Sequence, residues 1–219
     1  MSSLQFEESR EAVSNLGRKM LDVGLTAGSG GNISKRISRD RIAISPSRIP
    51  YSEISPRDVP VIDLEGNVIE GEAAPSSETP MHTALYRERE HAGGIVHTHS
   101  TFATVFATIG EPILPSYYQL AFVGREVPVA RFELPGTDDL AAEVLATLPE
   151  EGDACLLQNH GVLTLGKDAN RALENAHMVE HAAKIHLFAR LLGEPILLDD
   201  ADVETLLHRF QSYRDQAAY

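Results

Sequence analysis

Gly93-Gly-Ile-Val-His97-Thr-His99-Ser100 reads as a short buried strand that ends in polar residues and runs into a helix at about Thr101–Thr108. A second pair of apolar runs, Ala154–Gln158 and Val162–Leu165, flanks the turn Asn159-His160-Gly161. A long helix follows, with Asp168 as its predicted N-cap and Gly193 as its stop. Ala172, Ala176, Val179, Ala183 and Leu187 form its expected buried stripe. Strands that alternate with helices in this way predict an α/β domain with a central sheet between helices.

Working outward, helical spacing of Phe6, Val13, Leu16, Met20 and Leu21 predicts a first helix over Leu4–Gly24. The glycine cluster Gly28, Gly30 and Gly31 reads as a loop, and β-like runs follow at Arg41–Ser45 and Val59–Asp63. The second run ends in a turn at Glu65-Gly66-Asn67. Pro75-Ser76-Ser77 opens an expected helix over Thr79–Glu90, with a serine as N-cap. Val127–Phe132 reads as a strand and Asp138–Leu148 as a helix capped by Asp138 or Thr137. The last helix runs from Asp200 to Phe210 or Tyr213. No Pro/Ser linker divides the chain, so residues 1–219 are expected to form one domain.

The formal charge of −13 over 219 residues predicts no nucleic-acid and no membrane partner. No run approaches 18 apolar residues, and the N-terminus has neither a basic start nor an apolar segment. The single cysteine, Cys155, excludes an intrachain disulfide. These features predict a cytoplasmic protein.

His97 and His99 stand at i and i+2 of a strand and so share a face, a natural pair of metal ligands. His160, in a turn that ordinarily favours Asn-Gly, is a candidate third ligand. A catalytic zinc commonly takes three protein ligands and keeps one position open. The plainer alternative is three polar histidines at a strand end and a turn. His177-Met-Val-Glu180-His181 matches an inverted zinc-peptidase motif, but an alanine-rich amphipathic helix would present the same residues as its polar side. Gly28–Ser34 suits an anion cradle or a simple loop; it is neither a Walker loop nor a dinucleotide fingerprint. Ser76 and Ser77 precede a helix N-terminus, which attracts anions, and Glu78 follows directly.

Together these motifs form an ordered set: Gly31-Asn32-Ile-Ser34, Ile44-Ser-Pro-Ser47-Arg-Ile-Pro50-Tyr51, Pro75-Ser76-Ser77-Glu78, Val96-His97-Thr-His99-Ser100 and Gln158-Asn-His160-Gly161. With them the chain resembles the class II aldolase / ribulose-phosphate epimerase family, in its fuculose-phosphate aldolase branch. The resemblance implies a central mixed, largely antiparallel sheet flanked by helices on both sides. It implies zinc, with manganese or cobalt as alternatives, on His97, His99 and His160, and Glu78 as the acid–base carboxylate. Asn32, Ser47, Ser76 and Ser77 would hold a sugar phosphate, with Arg48 as an added contact. Tyr117 and Tyr213 would complete the pocket, and Tyr117 would reach a neighbouring subunit's site in a homotetramer. The implied reaction is cleavage of a ketose 1-phosphate to dihydroxyacetone phosphate and an aldehyde through a metal-stabilised enediolate. Dehydratase and decarboxylase relatives are the alternative.

The chain departs from the pattern at Arg48, where the family usually has glycine. It departs again at Asn159, where the aldolase has histidine, and at Pro135, where it has an aromatic residue. Pro115-Ser-Tyr-Tyr-Gln119 lacks the acid that the epimerases carry. The four lysines, Lys19, Lys35, Lys167 and Lys184, show no burial pattern suited to a Schiff base. A non-catalytic scaffold of the adducin-head kind would lack the three histidines.

Overall fold

The computed structural model describes residues 3–216, with side chains from 6 to 210. Helix α1 (Ser3–Asp22) precedes β1 (Asn32–Arg36), β2 (Arg41–Ile44), β3 (Val61–Asp63) and β4 (Val68–Glu70). Next come α2 (Thr79–Glu88), β5 (Gly94–Thr98), α3 (Thr101–Ile109), β6 (Val129–Ala130) and α4 (Asp138–Thr147). The chain continues through β7 (Ala154–Leu157), β8 (Gly161–Gly166), α5 (Ala169–Leu192) and α6 (Asp200–Gln216). The eight strands form one sheet in the order β4-β3-β2-β1-β5-β8-β7-β6. Its described pairings are antiparallel except β6–β7, so the expected mixed, largely antiparallel sheet is present.

Side chains that alternate along each strand build a core on each face. Ile95 of β5, Leu163 and Leu165 of β8, and Ile42 and Ile44 of β2 pack under α2 and α4. Ile33, Ala43, Val61 and Val96 point the other way, against α1 and α5. Ala154, Leu156 and Val162 meet α3 and α5. On α5, Ala172, Ala176, Val179 and Ala183 are fully buried, as their spacing predicts. Small residues there let the helix lie close to the sheet. A Cβ on Gly94 or Gly166 would fall 2.3 Å and 2.4 Å from α5 backbone atoms. Among the described residues no helix is long and apolar enough to cross a membrane.

Three local expectations are corrected. Asn32–Arg36 is strand β1, not the tail of a glycine loop. Its alternate residues Asn32, Ser34 and Arg36 are polar because they bond to helix α2 rather than to water. Helix α2 is capped by Glu78 rather than by a serine, and without a side-chain cap bond. The run Val127–Phe132 shortens to Val129–Ala130. Pro128 has no N–H for a ladder, and Phe132 N–H instead donates to Gln158 Oε1 at 3.1 Å.

Candidate metal centre

Strand β5 carries His97 on the face that Ile95 also uses, toward α2. Its neighbour β1 pairs Asn32 directly opposite His97. On the other side the β7–β8 turn delivers His160, with Asn159 in the left-handed region at φ 55°. His99 follows just beyond the strand end. The result is that His97 and His99, with His160 from a distant segment, offer ligand atoms within 4.8 Å of one another.

The chemistry of this donor set fits a divalent cation. His97 Nδ1–H donates to Val162 O at 2.9 Å, which leaves Nε2 bare and aimed inward. His99 Nε2 lies 3.1 Å from it. Glu78 closes the ring of donors, with Oε2 3.2 Å from His97 Nε2 and Oε1 3.3 Å from His160 Nε2. Burial holds the His97 pKa down at about 4 and lowers that of His99, so both are neutral ligands at physiological pH. For Glu78, burial alone raises the pKa. The surrounding imidazoles, His97 first and then His160 and His82, together with the hydrogen bond from Asn32, outweigh it, and the net shift is downward, so the carboxylate is ionised.

Two glycines leave room for this packing. A Cβ on Gly161 would lie 2.3 Å from Thr98 O and 3.2 Å from His97 Cε1, and one on Gly31, at φ 67°, 2.5 Å from His97 O. Gly161→Ala is therefore expected to displace the histidines and weaken metal binding by about 10–100-fold, the scale of lost support around a metal. Titration of the chelated protein with zinc checks this; unchanged affinity would show that the glycine is not needed.

Beside the centre, the loops holding Ser47 and Ser76 are stapled together. Ser47 N–H donates to Ala74 O at 2.9 Å, Ser76 N–H donates to Ser45 O at 3.0 Å, and Pro46 bridges Pro75. Ser76 is buried and its Oγ accepts from Glu78 N–H at 3.2 Å. Ser77 is exposed, and a Cβ on Gly136 would lie 2.7 Å from its carbonyl oxygen. Arg48 is exposed and holds a positive φ of 65°, a conformation that glycine adopts without strain. Asn32 has its amide engaged on both sides, donating from Nδ2 to Glu78 at 2.8 Å and facing His82 with Oδ1 at 2.5 Å.

Not every candidate gathers here. The Tyr117 hydroxyl donates to Gln119, and its ring packs on His181 at 5.4 Å, away from the three histidines. The Tyr213 side chain lies outside the described residues. The second histidine motif has a structural purpose: Glu180 accepts from Phe102 N–H and Ala103 N–H at 3.0 and 2.9 Å, satisfying the N-terminus of α3. Sequence reasoning missed His82, Ser34 and Tyr86, which continue inward from Asn32. The signal was present: Glu78, His82 and Tyr86 recur at i, i+4 and i+8 on one helix.

The model of the family described as Class II Aldolase and Adducin N-terminal domain matches residues 11–187. A 5-deoxy-D-ribulose 1-phosphate aldolase from Bacillus thuringiensis serovar kurstaki is 39% identical over 212 residues, covering 96% of this chain and 99% of that protein. A 3-oxo-tetronate 4-phosphate decarboxylase from Haemophilus influenzae is 33% identical over 209 residues, covering 91% and 96%. A solved structure of L-fuculose 1-phosphate aldolase superposes with a TM-score of 0.88 at 36% identity, covering 96% of this chain and 98% of that one.

Proposed function

Because the chain belongs to the class II aldolase and adducin N-terminal domain family, we propose that it is a metal-dependent aldolase that cleaves a ketose 1-phosphate to dihydroxyacetone phosphate and an aldehyde. The observation that carries this reading is the convergence of three imidazoles and one ionised carboxylate at the end of the central strands. His97, His99 and His160 would hold the ion, with zinc the first choice for an all-nitrogen set and manganese or cobalt the alternatives. Bound there, a divalent ion supplies Lewis acidity, polarising the C2 carbonyl and steadying the negative charge that builds on the C2–C3 fragment.

The chain's own residues do the rest. In cleavage the C4 hydroxyl gives up its proton, the C3–C4 electron pair passes to the C2–C3 fragment, and C3 then takes a proton. Glu78, beside the ligands, is the group that delivers that proton, and takes it away in the reverse direction. Tyr117 or Tyr213 handles the C4 oxygen. Since Tyr117 points away from its own chain's histidines, this role places it at a neighbouring subunit's site in a homotetramer. Ser47, Ser76 and Ser77, with Arg48 on the rim, bind the phosphate through hydroxyls, backbone N–H groups and charge. Asn32 joins them through the second hydrogen of its Nδ2 amide, the first staying on Glu78.

A cleft of about 320 Å³ runs from His99 along α3, lined by Thr101, Thr104, Val105, Thr108 and Ile109. Its threonine methyls and aliphatic side chains suit an aldehyde that ends in a methyl group. The substrates named for the two aldolases above, 5-deoxyribulose and fuculose phosphates, would both yield such an aldehyde. The decarboxylase relative favours a second reading, loss of CO2 from a 3-oxo acid phosphate at the same centre. Condensing dihydroxyacetone phosphate with acetaldehyde, lactaldehyde and glycolaldehyde, with and without chelator, decides between them. Chelator-sensitive condensation, best with the methyl-terminated aldehydes, is expected. Failure with every aldehyde, together with CO2 release from a 3-oxo-tetronate phosphate, would replace the aldolase by the decarboxylase.

A further inference from the structure

Behind Glu78 and Asn32 a continuous buried row of polar groups runs inward, and its inner members, His82, Ser34 and Tyr86, have no part in the roles above. It runs Glu78–Asn32–His82–Ser34–Tyr86, with separations of 2.8, 2.5, 2.6 and 2.9 Å. All five side chains belong to residues no more than 5% exposed; Ser34 and His82 are fully buried. Two come from one stripe of α2, one from its N-cap, and two from one face of β1. The two elements keep step because four residues of helix advance about 6 Å and two residues of strand about 6.7 Å. Arg36, the next residue on that strand face, closes the row by lying over the Tyr86 ring at 4.5 Å.

The hydrogens of this row are determined from its Glu78 end. An ionised carboxylate only accepts, so Asn32 must present Nδ2 to Glu78 and Oδ1 to His82. Oδ1 only accepts, so His82 carries its proton on Nε2. A neutral imidazole then has a bare Nδ1, which accepts from the Ser34 hydroxyl, and Ser34 accepts from Tyr86. Every donor points toward Glu78. With the other His82 tautomer, Asn32 would turn its carbonyl oxygen against the carboxylate.

We infer that His82 is a positioning residue for the reaction: it fixes which way the Asn32 amide faces and so holds Glu78 in place beside the metal ligands. The inference rests on the role given to Glu78 above. Burial keeps His82 neutral, consistent with a fixed single tautomer.

The test uses the metal-loaded full-length enzyme with dihydroxyacetone phosphate as the probe, reading deuterium uptake at its hydroxymethyl carbon in D2O. His82→Gln places an amide N–H near the position of Nε2–H and is expected to keep most of the exchange rate. His82→Asn, whose amide reaches only the Nδ1 position, and His82→Leu are expected to lower kcat about 10–100-fold. KM should change less, and the metal content should stay at wild-type level. In an Asn32→Ala background the difference between the Gln and Asn variants should vanish. Equal rates for Gln and Asn, or full activity with Leu, would overturn the inference. If Glu78→Gln is also fully active, the reading of Glu78 fails first; if it is inactive, only the inference about His82 fails. Should the variants not fold, ¹⁵N NMR of histidine-labelled wild-type protein decides: Nε2–H with a bare Nδ1 is expected, and the opposite tautomer would contradict it.

Discussion

His97→Ala is expected to reduce bound divalent metal from about one ion per chain to background and to abolish the aldol reaction. His97 is the fully buried member of the cluster, set in the fourth position of the central strand β5. Its Nδ1 bond to Val162 O orients a bare Nε2 toward both Glu78 and His99. Without it, two histidines on a loop and a turn remain, and neither has a strand to hold it. The Lewis-acid contribution is worth several kcal/mol. At about 1.4 kcal/mol per tenfold, a rate loss of at least about 10³-fold follows. Elemental analysis and a coupled assay for dihydroxyacetone phosphate read both effects, with circular dichroism as the check on folding. A folded variant that keeps full metal would mean that the ligand set is wrong.

Glu78→Gln should separate binding from chemistry. Glutamine keeps the shape and one carbonyl oxygen for Asn32, so the three histidines and their metal should remain. It cannot carry a proton to or from C3, so kcat should fall by about 10²–10⁴, the range for loss of a positioned general acid–base group. Retained metal with lost turnover is the expected pattern. Full turnover would remove Glu78 from the mechanism. Loss of metal would make Glu78 a fourth ligand first and a proton carrier second.

Much of this was legible in the chain. The helix α5 carried its own start, stripe and stop in Asp168, the alanines and Gly193, and the structure has all three. The histidine pair could be read from strand periodicity, because i and i+2 must share a face. His160 could not be placed by local rules. Its approach to His97 depends on β8 pairing with β5, a contact that joins Gly94–Thr98 to Val162–Gly166 across the intervening helices α3 and α4. Strand β1 was hidden for a related reason. Asn32, Ser34 and Arg36 look like loop residues until α2 is laid across them and their polar groups find Glu78, His82 and Tyr86. The histidine motif on α5 is the opposite case, a metal-like spacing that reads as the polar side of a helix. Its spacing suits a metal, yet its glutamate is committed to the start of α3. Local pattern registers residue type and period, whereas the partners that decide a polar residue's role come from tertiary pairing.

Turnover is expected to depend on an ion held by His97, His99 and His160. A chelator titration of the purified protein, following bound metal per chain and release of dihydroxyacetone phosphate from a 5-deoxyketose 1-phosphate together, tests it most directly. Activity is expected to fall in proportion to bound metal and to return when zinc, manganese or cobalt is restored. Activity that persists after the metal is gone would contradict it.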